Sequence, residues 1–232
     1  MSKRLMKEIP QVTDKTMRDM GIYYIPDTAS ITKGKVLIQG PDDSPFEGCF
    51  FIFQFAFPDD YPFSPPKVNV LTTDGLTRFH PNLYVEGKVC LSILGTYTGP
   101  SWQSTMSLSM VLLSLKALLD TNPLSHEPGY SSYTLANPLA STYASFVQHQ
   151  LVALTLSELR GSECYKGVQD DLPDDFKEKT LVSLKKVIMK NLEYSDTLYT
   201  EIPYGMRGCT RWKVLHKEVL LLEKNGNAQN ND

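Results

Sequence analysis

Hydrophobic positions change period along this chain. Strand-like runs occupy the first third, and helical spacing takes over past residue 104. Ahead of the strands, residues 3–9 predict a short helix with Leu5, Met6 and Ile9 facing inward and Lys3, Arg4, Lys7 and Glu8 outward. Pro10 is expected to end or bend it. Three strand-like runs follow, at about 31–39, 49–57 and 67–71. The second is dense in aromatic and β-branched residues, which suit a buried pleated surface. The connectors at 40–48 and 58–66 are rich in Pro, Gly and Asp, residues with turn chemistry. Short connectors between neighbouring strands predict an antiparallel meander. After a loop at 95–102, a helix is expected to begin near Thr105, capped by Ser104 or Thr105 and stopped by Asn122-Pro123. Leu108, Val111, Leu112, Leu115, Leu118 and Leu119 give it one apolar face for the sheet. From about Asn137 the pattern reads as purely helical, with three stripes: Tyr143 to Leu154, Leu181 to Leu192, and Trp212 to Leu222. Acidic Asp174 and Asp175 precede the second stripe and Lys185, Lys186 and Lys190 close it, in agreement with the helix dipole. The residues from Glu223 are polar and expected to fray. The reading is an α+β fold divided into a core over 1–130, a helical extension over 131–222 packed on that core, and a disordered tail over 223–232.

Composition changes this picture little. The 232 residues carry a net charge of −3, which gives no electrostatic case for a nucleic-acid partner. The four cysteines, Cys49, Cys90, Cys164 and Cys209, lie far apart without C-x-x-C spacing, so neither a metal site nor a disulfide framework is expected. The basic start has no apolar stretch after it, no run is long enough to cross a bilayer, and the C-terminal residues form no prenylation box. Neither a secretory leader nor a membrane partner is therefore expected.

One cysteine stands out chemically. His80-Pro81-Asn82 forms a turn signal upstream of Cys90, Gly87 breaks the stretch between them, and the apolar run Leu91 to Leu94 follows. A thiol on a rigid turn can hold an acyl group as a thioester, and a nearby amide can stabilise the oxyanion formed when that thioester is attacked. A cysteine protease would need a base paired with the thiol, and His126, His149 and His216 have no protease signature around them.

Taken together, the His80-Pro81-Asn82 turn, Cys90 eight residues after Asn82, the Tyr61-Pro62-Phe63-Ser64-Pro65-Pro66 loop and the Trp102 loop resemble the core of the ubiquitin-conjugating enzyme family over residues 2–130. Segments 90–100 and 126–130 are similar to the large members of that family, and the helical extension is similar more weakly. The resemblance implies a four-stranded antiparallel meander sheet flanked by helices. It implies that Cys90 accepts ubiquitin or a ubiquitin-like modifier from an activating enzyme and passes it to a substrate lysine or a ligase. No cofactor is implied for this chain, since the activating enzyme consumes the ATP, and the implied location is cytoplasm, nucleus or both. Similarity to the large members implies the family's less common activating enzyme and tolerance of a second modifier. The alternative within the fold is a non-catalytic ubiquitin-binding module, but such variants lack the cysteine.

The resemblance also assigns residues. An unperturbed thiol, with pKa ~8.5, is only a few per cent thiolate near neutrality, which suffices for a nearly isoenergetic thioester exchange. Asn82 either orients the loop or stabilises the oxyanion, and His80 is implied to fix the turn. Tyr84 matches a tyrosine that helps desolvate the acceptor lysine in the SUMO-conjugating relative, with packing as the alternative. The acceptor lysine needs such help because only ~0.04% of it is neutral at pH 7. The acidic residue that many members place across from the cysteine has its candidate here in Glu127, with His126 second and a solvated loop charge as the alternative. Lys3, Arg4 and Lys7 match the face that meets the activating enzyme, or form a solvated helix face. Phe63 and Trp102 match the ligase-docking surface, or serve as packing anchors. Gln103-Ser104-Thr105 replaces the usual Ser-Pro-Ala, and the 95–99 loop is longer, so the ligase type stays open.

Overall fold

The computed structural model describes residues 3–229, with side chains described as far as Lys224. Helix α1 spans Lys3–Val12 and buries Leu5, Glu8 and Val12. These positions are spaced i, i+3 and i+7 and share one face, whereas Met6 sits about 100° round the helix and is 52% exposed. The expected orientation is thus corrected at two positions: Met6 faces out and Glu8 faces in. Pro10 does not end the helix, whose last turn is held down by the buried Val12.

Helix α2, Lys15–Asp19, is capped by the Asp14 carboxylate, which accepts from the Met17 N–H. It leads into β1, Ile22–Pro26. No strand-like run in the sequence marks it. It is short, ends in proline, and shows no clean alternation because Tyr24 and Ile25 are both buried. Strands β2 (Lys33–Gln39), β3 (Phe50–Ala56) and β4 (Lys67–Val70) complete a four-stranded antiparallel sheet in the order β1-β2-β3-β4. The central pair is in register from Lys33 opposite Ala56 to Gln39 opposite Phe50.

Helix α3, Leu108–Leu118, lays Leu108, Val111, Leu112, Leu115 and Leu118 on the core. It begins three residues later than the expected start at Thr105. Ser107 occupies the N-cap position but makes no capping bond with its side chain. The cap comes from far away in sequence: the Leu108 N–H donates to the Glu8 carboxylate at 3.2 Å. The same carboxylate accepts from the Tyr61 hydroxyl at 2.6 Å and pairs with Arg4, while Arg4 Nη2 also reaches the Met106 carbonyl. One buried acid thereby ties α1, the 58–66 loop and the start of α3 together.

The extension is built on α4, Pro138–Leu159, with Asn137 as its side-chain cap. This helix is buried round much of its circumference, so its pattern is broader than one stripe. Helices α5 (Glu163–Lys166), α6 (Phe176–Lys190) and α7 (Trp212–Gln229) follow. The extension is not purely helical. Strands β5 (Leu198–Ile202) and β6 (Met206–Cys209) form a separate antiparallel hairpin. Four of five β5 residues are not fully buried, which explains why no apolar alternation marked it in the sequence. The polar stretch from Glu223 remains helical to Gln229, and 230–232 lie outside the described residues.

One continuous apolar cluster runs from Leu5 to Val219, so core and extension share a single interior. Phe50 stacks on Tyr165 at 5.7 Å, and Tyr23 meets Phe176 edge-on at 5.4 Å. Beside them, Lys186 and Lys190 pair with the buried Glu47 at 3.1 and 3.6 Å. Burial alone would raise the Glu47 carboxyl, but the two lysines outweigh it and hold the pKa below the usual value. Among the described residues no helix is long and apolar enough to cross a membrane.

Candidate active site

The segment from Asn82 to Cys90 is a small irregular hairpin. Tyr84 N–H donates to Lys88 O at 2.9 Å, and Gly87 N–H donates back to Tyr84 O at 2.9 Å. Gly87 adopts φ +95°, and a Cβ there would sit 3.0 Å from the Val70 carbonyl, so glycine allows the turn to approach β4. At the open end the Cys90 N–H donates to Asn82 O at 2.8 Å, and the Asn82 side-chain Nδ2 donates to Cys90 O at 2.7 Å. Asn82 therefore clamps the cysteine's backbone from both sides. In this state its amide serves loop geometry, with Nδ2 committed to a carbonyl.

His80 is fully buried, and its Nδ1 accepts the Asn82 N–H at 3.0 Å. Burial pushes its pKa well below 6.5, with His126 and Arg78 adding to the effect. The ring is consequently neutral, with its proton on Nε2. The Leu118 backbone opposes that pKa shift, although Nε2 makes no bond within hydrogen-bonding geometry. An uncharged, enclosed imidazole used as an acceptor is suited to fixing the turn.

Cys90 itself is recessed, at 4% exposure, and no described side chain forms a hydrogen bond to its Sγ. Thr96 steadies the strand on either side of it. Its hydroxyl donates to Val89 O at 2.7 Å and accepts the Leu91 N–H at 3.0 Å. Burial raises the pKa of Cys49 to about 12 and of Cys164 to about 11, which keeps both as thiols.

Around the turn, Arg78 stands over the Tyr84 ring with Cζ 3.3 Å from its centroid. Its Nε and Nη2 donate to the carbonyls of His80 and Pro81 at 3.1 and 2.5 Å. Tyr84 is thus half-buried and engaged by a cation. On the opposite loop, His126 lies 4.8 Å from His80 between ring centroids, and its Nε2 meets Asp120 Oδ2 at 2.8 Å. Glu127 accepts a hydrogen bond from the Tyr204 hydroxyl at 2.7 Å. His80, Asn82, His126 and Cys90 are thus joined by direct contacts and Arg78 ties Tyr84 to the same turn, whereas Glu127 joins them only through Tyr204, whose ring lies 5.2 Å from Arg78 Cζ. Sequence reasoning missed Arg78, Thr96, Asp120 and Tyr204. Pro203-Tyr204-Gly205 does carry a turn signal; a lone arginine two residues before His80 carries none.

The partner-facing candidates lie elsewhere. Lys3 and Lys7 are exposed on α1, while Arg4 is only partly so because it pairs with Glu8. Phe63 is 78% exposed, which excludes it as a packing anchor. Trp102 is half-buried, donates Nε1–H to Pro62 O at 2.7 Å and packs 5.9 Å from Tyr61, so it anchors the loop that displays Phe63.

A recessed cysteine clamped by the asparagine of a His-Pro-Asn turn, on a four-stranded meander, defines a class, and comparison with known proteins agrees. The family profile described as "Ubiquitin-conjugating enzyme" matches residues 4–148, and the chain belongs to that family. Among curated relatives it is similar to ubiquitin-conjugating enzyme E2 Z of Homo sapiens, 42% identical over 145 residues covering 62% of this chain and 41% of that protein. The Xenopus tropicalis protein of the same name is 43% identical over 145 residues, covering 62% and 46%. The human "Dual E2 ubiquitin-conjugating enzyme/E3 ubiquitin-protein ligase BIRC6" is 51% identical over 102 residues, covering 41% of this chain and 2% of that protein. The chain thus spans less than half the length of the curated relatives it matches.

Proposed function

We propose that this chain accepts ubiquitin or a ubiquitin-like modifier from an activating enzyme as a thioester on Cys90 and passes it to a substrate lysine or to a ligase. The observation that carries this reading is the reciprocal clamp between Asn82 and Cys90, which presents a recessed thiol on a fixed backbone. In loading, the Cys90 sulfur attacks the thioester carbonyl on the activating enzyme. A C–S bond forms, the old C–S bond breaks, and the departing thiolate takes up the proton that Cys90 loses. No metal or cofactor is needed in this scheme, and ATP is spent by the activating enzyme. Lys3 and Lys7 are the charges available to that enzyme, with Arg4 tied back to Glu8, and Phe63 is the apolar side chain offered to a ligase. Action in cytoplasm, nucleus or both belongs to the same proposal. Cys90 weighs against the alternative of a non-catalytic ubiquitin-binding module.

Incubation with ATP, an activating enzyme and a panel of modifiers tests the reading. A reductant-sensitive adduct is expected on the wild-type chain, a slower and reductant-resistant ester on Cys90→Ser, and none on Cys90→Ala. Absence of any adduct across the panel overturns it.

A further inference from the structure

The residues joining β5 to β6 reach the candidate active site from the extension. Tyr204 adopts φ +67°, a left-handed conformation uncommon for a bulky residue, and is 41% exposed. Its hydroxyl donates to Glu127 Oε2 at 2.7 Å, its ring lies 5.2 Å from Arg78 Cζ, and it meets the buried Tyr143 at 6.0 Å. The backbone of Arg78 is also gripped from the extension on both of its polar groups. Tyr143 donates to its carbonyl at 2.7 Å, and Met206 Sδ accepts its N–H at 3.2 Å. Arg78 in turn holds the His80 and Pro81 carbonyls and the Tyr84 ring. The hairpin turn of the extension therefore touches two segments that meet at the His80-Pro81-Asn82 turn: the 78–84 segment through Arg78, and the 120–127 segment, which reaches His80 through His126, through Glu127.

The chemistry gives this contact a use. In transfer to lysine, the amine nitrogen attacks the thioester carbonyl, a C–N bond forms, the C–S bond to Cys90 breaks, and the proton lost by nitrogen ends on the departing thiolate or in solvent. The amine must attack with its lone pair on the carbonyl, and a carboxylate that accepts its N–H can orient it for that attack only if the carboxylate is itself held in place. Burial and the bond to Glu127 both raise the Tyr204 pKa, so the hydroxyl stays protonated and can only donate to that carboxylate. With Oε2 taken, Oε1 has no protein partner among the described residues. We propose that Tyr204, on the β5–β6 turn of the extension, is a positioning residue for the acceptor amine: it fixes the Glu127 carboxylate and, with Met206 and Tyr143, the Arg78–Tyr84 pair beside the His80-Pro81-Asn82 turn. The extension is then part of the transfer site as well as a brace on the core. This inference rests on the thioester reading above and names the side chains that serve its second step.

The test uses the full chain, charged with ubiquitin or whichever modifier of the panel loads, then chased with free lysine in a single turnover. Tyr204→Phe keeps the ring beside Arg78 and removes only the bond to Glu127, so the ratio of discharge rate to loading rate is expected to fall about tenfold. Glu127→Gln should fall at least as far, and the double variant should be no slower than Glu127→Gln alone, because both changes remove one interaction. A wild-type ratio in Tyr204→Phe or in Glu127→Gln overturns the inference. So do effects that multiply in the double variant, and so does an equal loss of loading and discharge. If the wild-type chain never loads, the thioester reading itself fails and this inference falls with it; normal loading with normal discharge in Tyr204→Phe removes this inference alone.

Discussion

The Asn82 side chain is committed to its own loop in this structure. With its Nδ2 on the Cys90 carbonyl it shapes the loop, and it must leave that carbonyl to reach an oxyanion. Removal of an oxyanion donor costs about a hundredfold in rate, whereas loss of a loop bond costs stability. Asn82→Ala is accordingly expected to load at Cys90 but to discharge to free lysine about a hundredfold more slowly, read by single-turnover chase. Equal loss of both steps would assign the residue to folding alone. Cys90 and the His80-Pro81-Asn82 turn were legible because their spacing is local, so a linear chain displays it. Glu127 and His126 were legible only as candidates, because the bonds that orient them come from Tyr204, Asp120 and His80. Phe63 was ambiguous until its exposure was known, since an aromatic residue in a proline-rich loop reads the same whether packed or displayed.

Elements were legible wherever the segment is long enough for an apolar run or a helical spacing to show. Strands β2 and β3 read as apolar runs, and helices α3, α4 and α6 left a helical spacing in the sequence. Short elements covered on both faces or hardly covered at all, such as β1 and the β5–β6 hairpin, left none. The start of α3 was misplaced because its first N–H is capped from α1, across a separation of 100 residues in sequence. This arrangement predicts a specific weakness. Glu8→Ala leaves the Leu108 N–H and the Tyr61 hydroxyl without their acceptor in a buried place, which should cost about 3 kcal/mol by denaturant titration. A change within about 0.5 kcal/mol would mean that water satisfies those groups.

At the scale of the whole molecule, two histidines are buried uncharged. His149 accepts the Arg211 N–H on Nε2 at 2.7 Å and stands edge-on to Trp212 at 4.9 Å, so it joins α4 to the start of α7. Burial first, and Arg211 second, lower its pKa to about 4. An unfolded histidine takes up its proton near pH 6.5, so the unfolded state binds the proton first as pH falls. Stability is therefore full above pH 6.5 and is lost between there and about pH 4, by about 3 kcal/mol for His149, with His80 adding in the same direction. Urea midpoints measured from pH 7.5 to 4.5 should fall steadily, and His149→Gln, which keeps an acceptor for Arg211, should flatten part of that slope. An unchanged slope would show that His149 is already charged in the folded chain.

By itself the sequence determined the α+β class, the meander, the position of the candidate cysteine and the family, because each rests on residues that are near neighbours in the chain or on a period that repeats. Tertiary structure alone decided that Glu8 faces inward, that core and extension share one interior, and that Tyr204 lies against Glu127 and Arg78. Those outcomes depend on contacts between segments about 50 to 130 residues apart. Such pairings leave no mark on local spacing, and they exist only once the extension has folded onto the core, with α7 packed on α4 and α6.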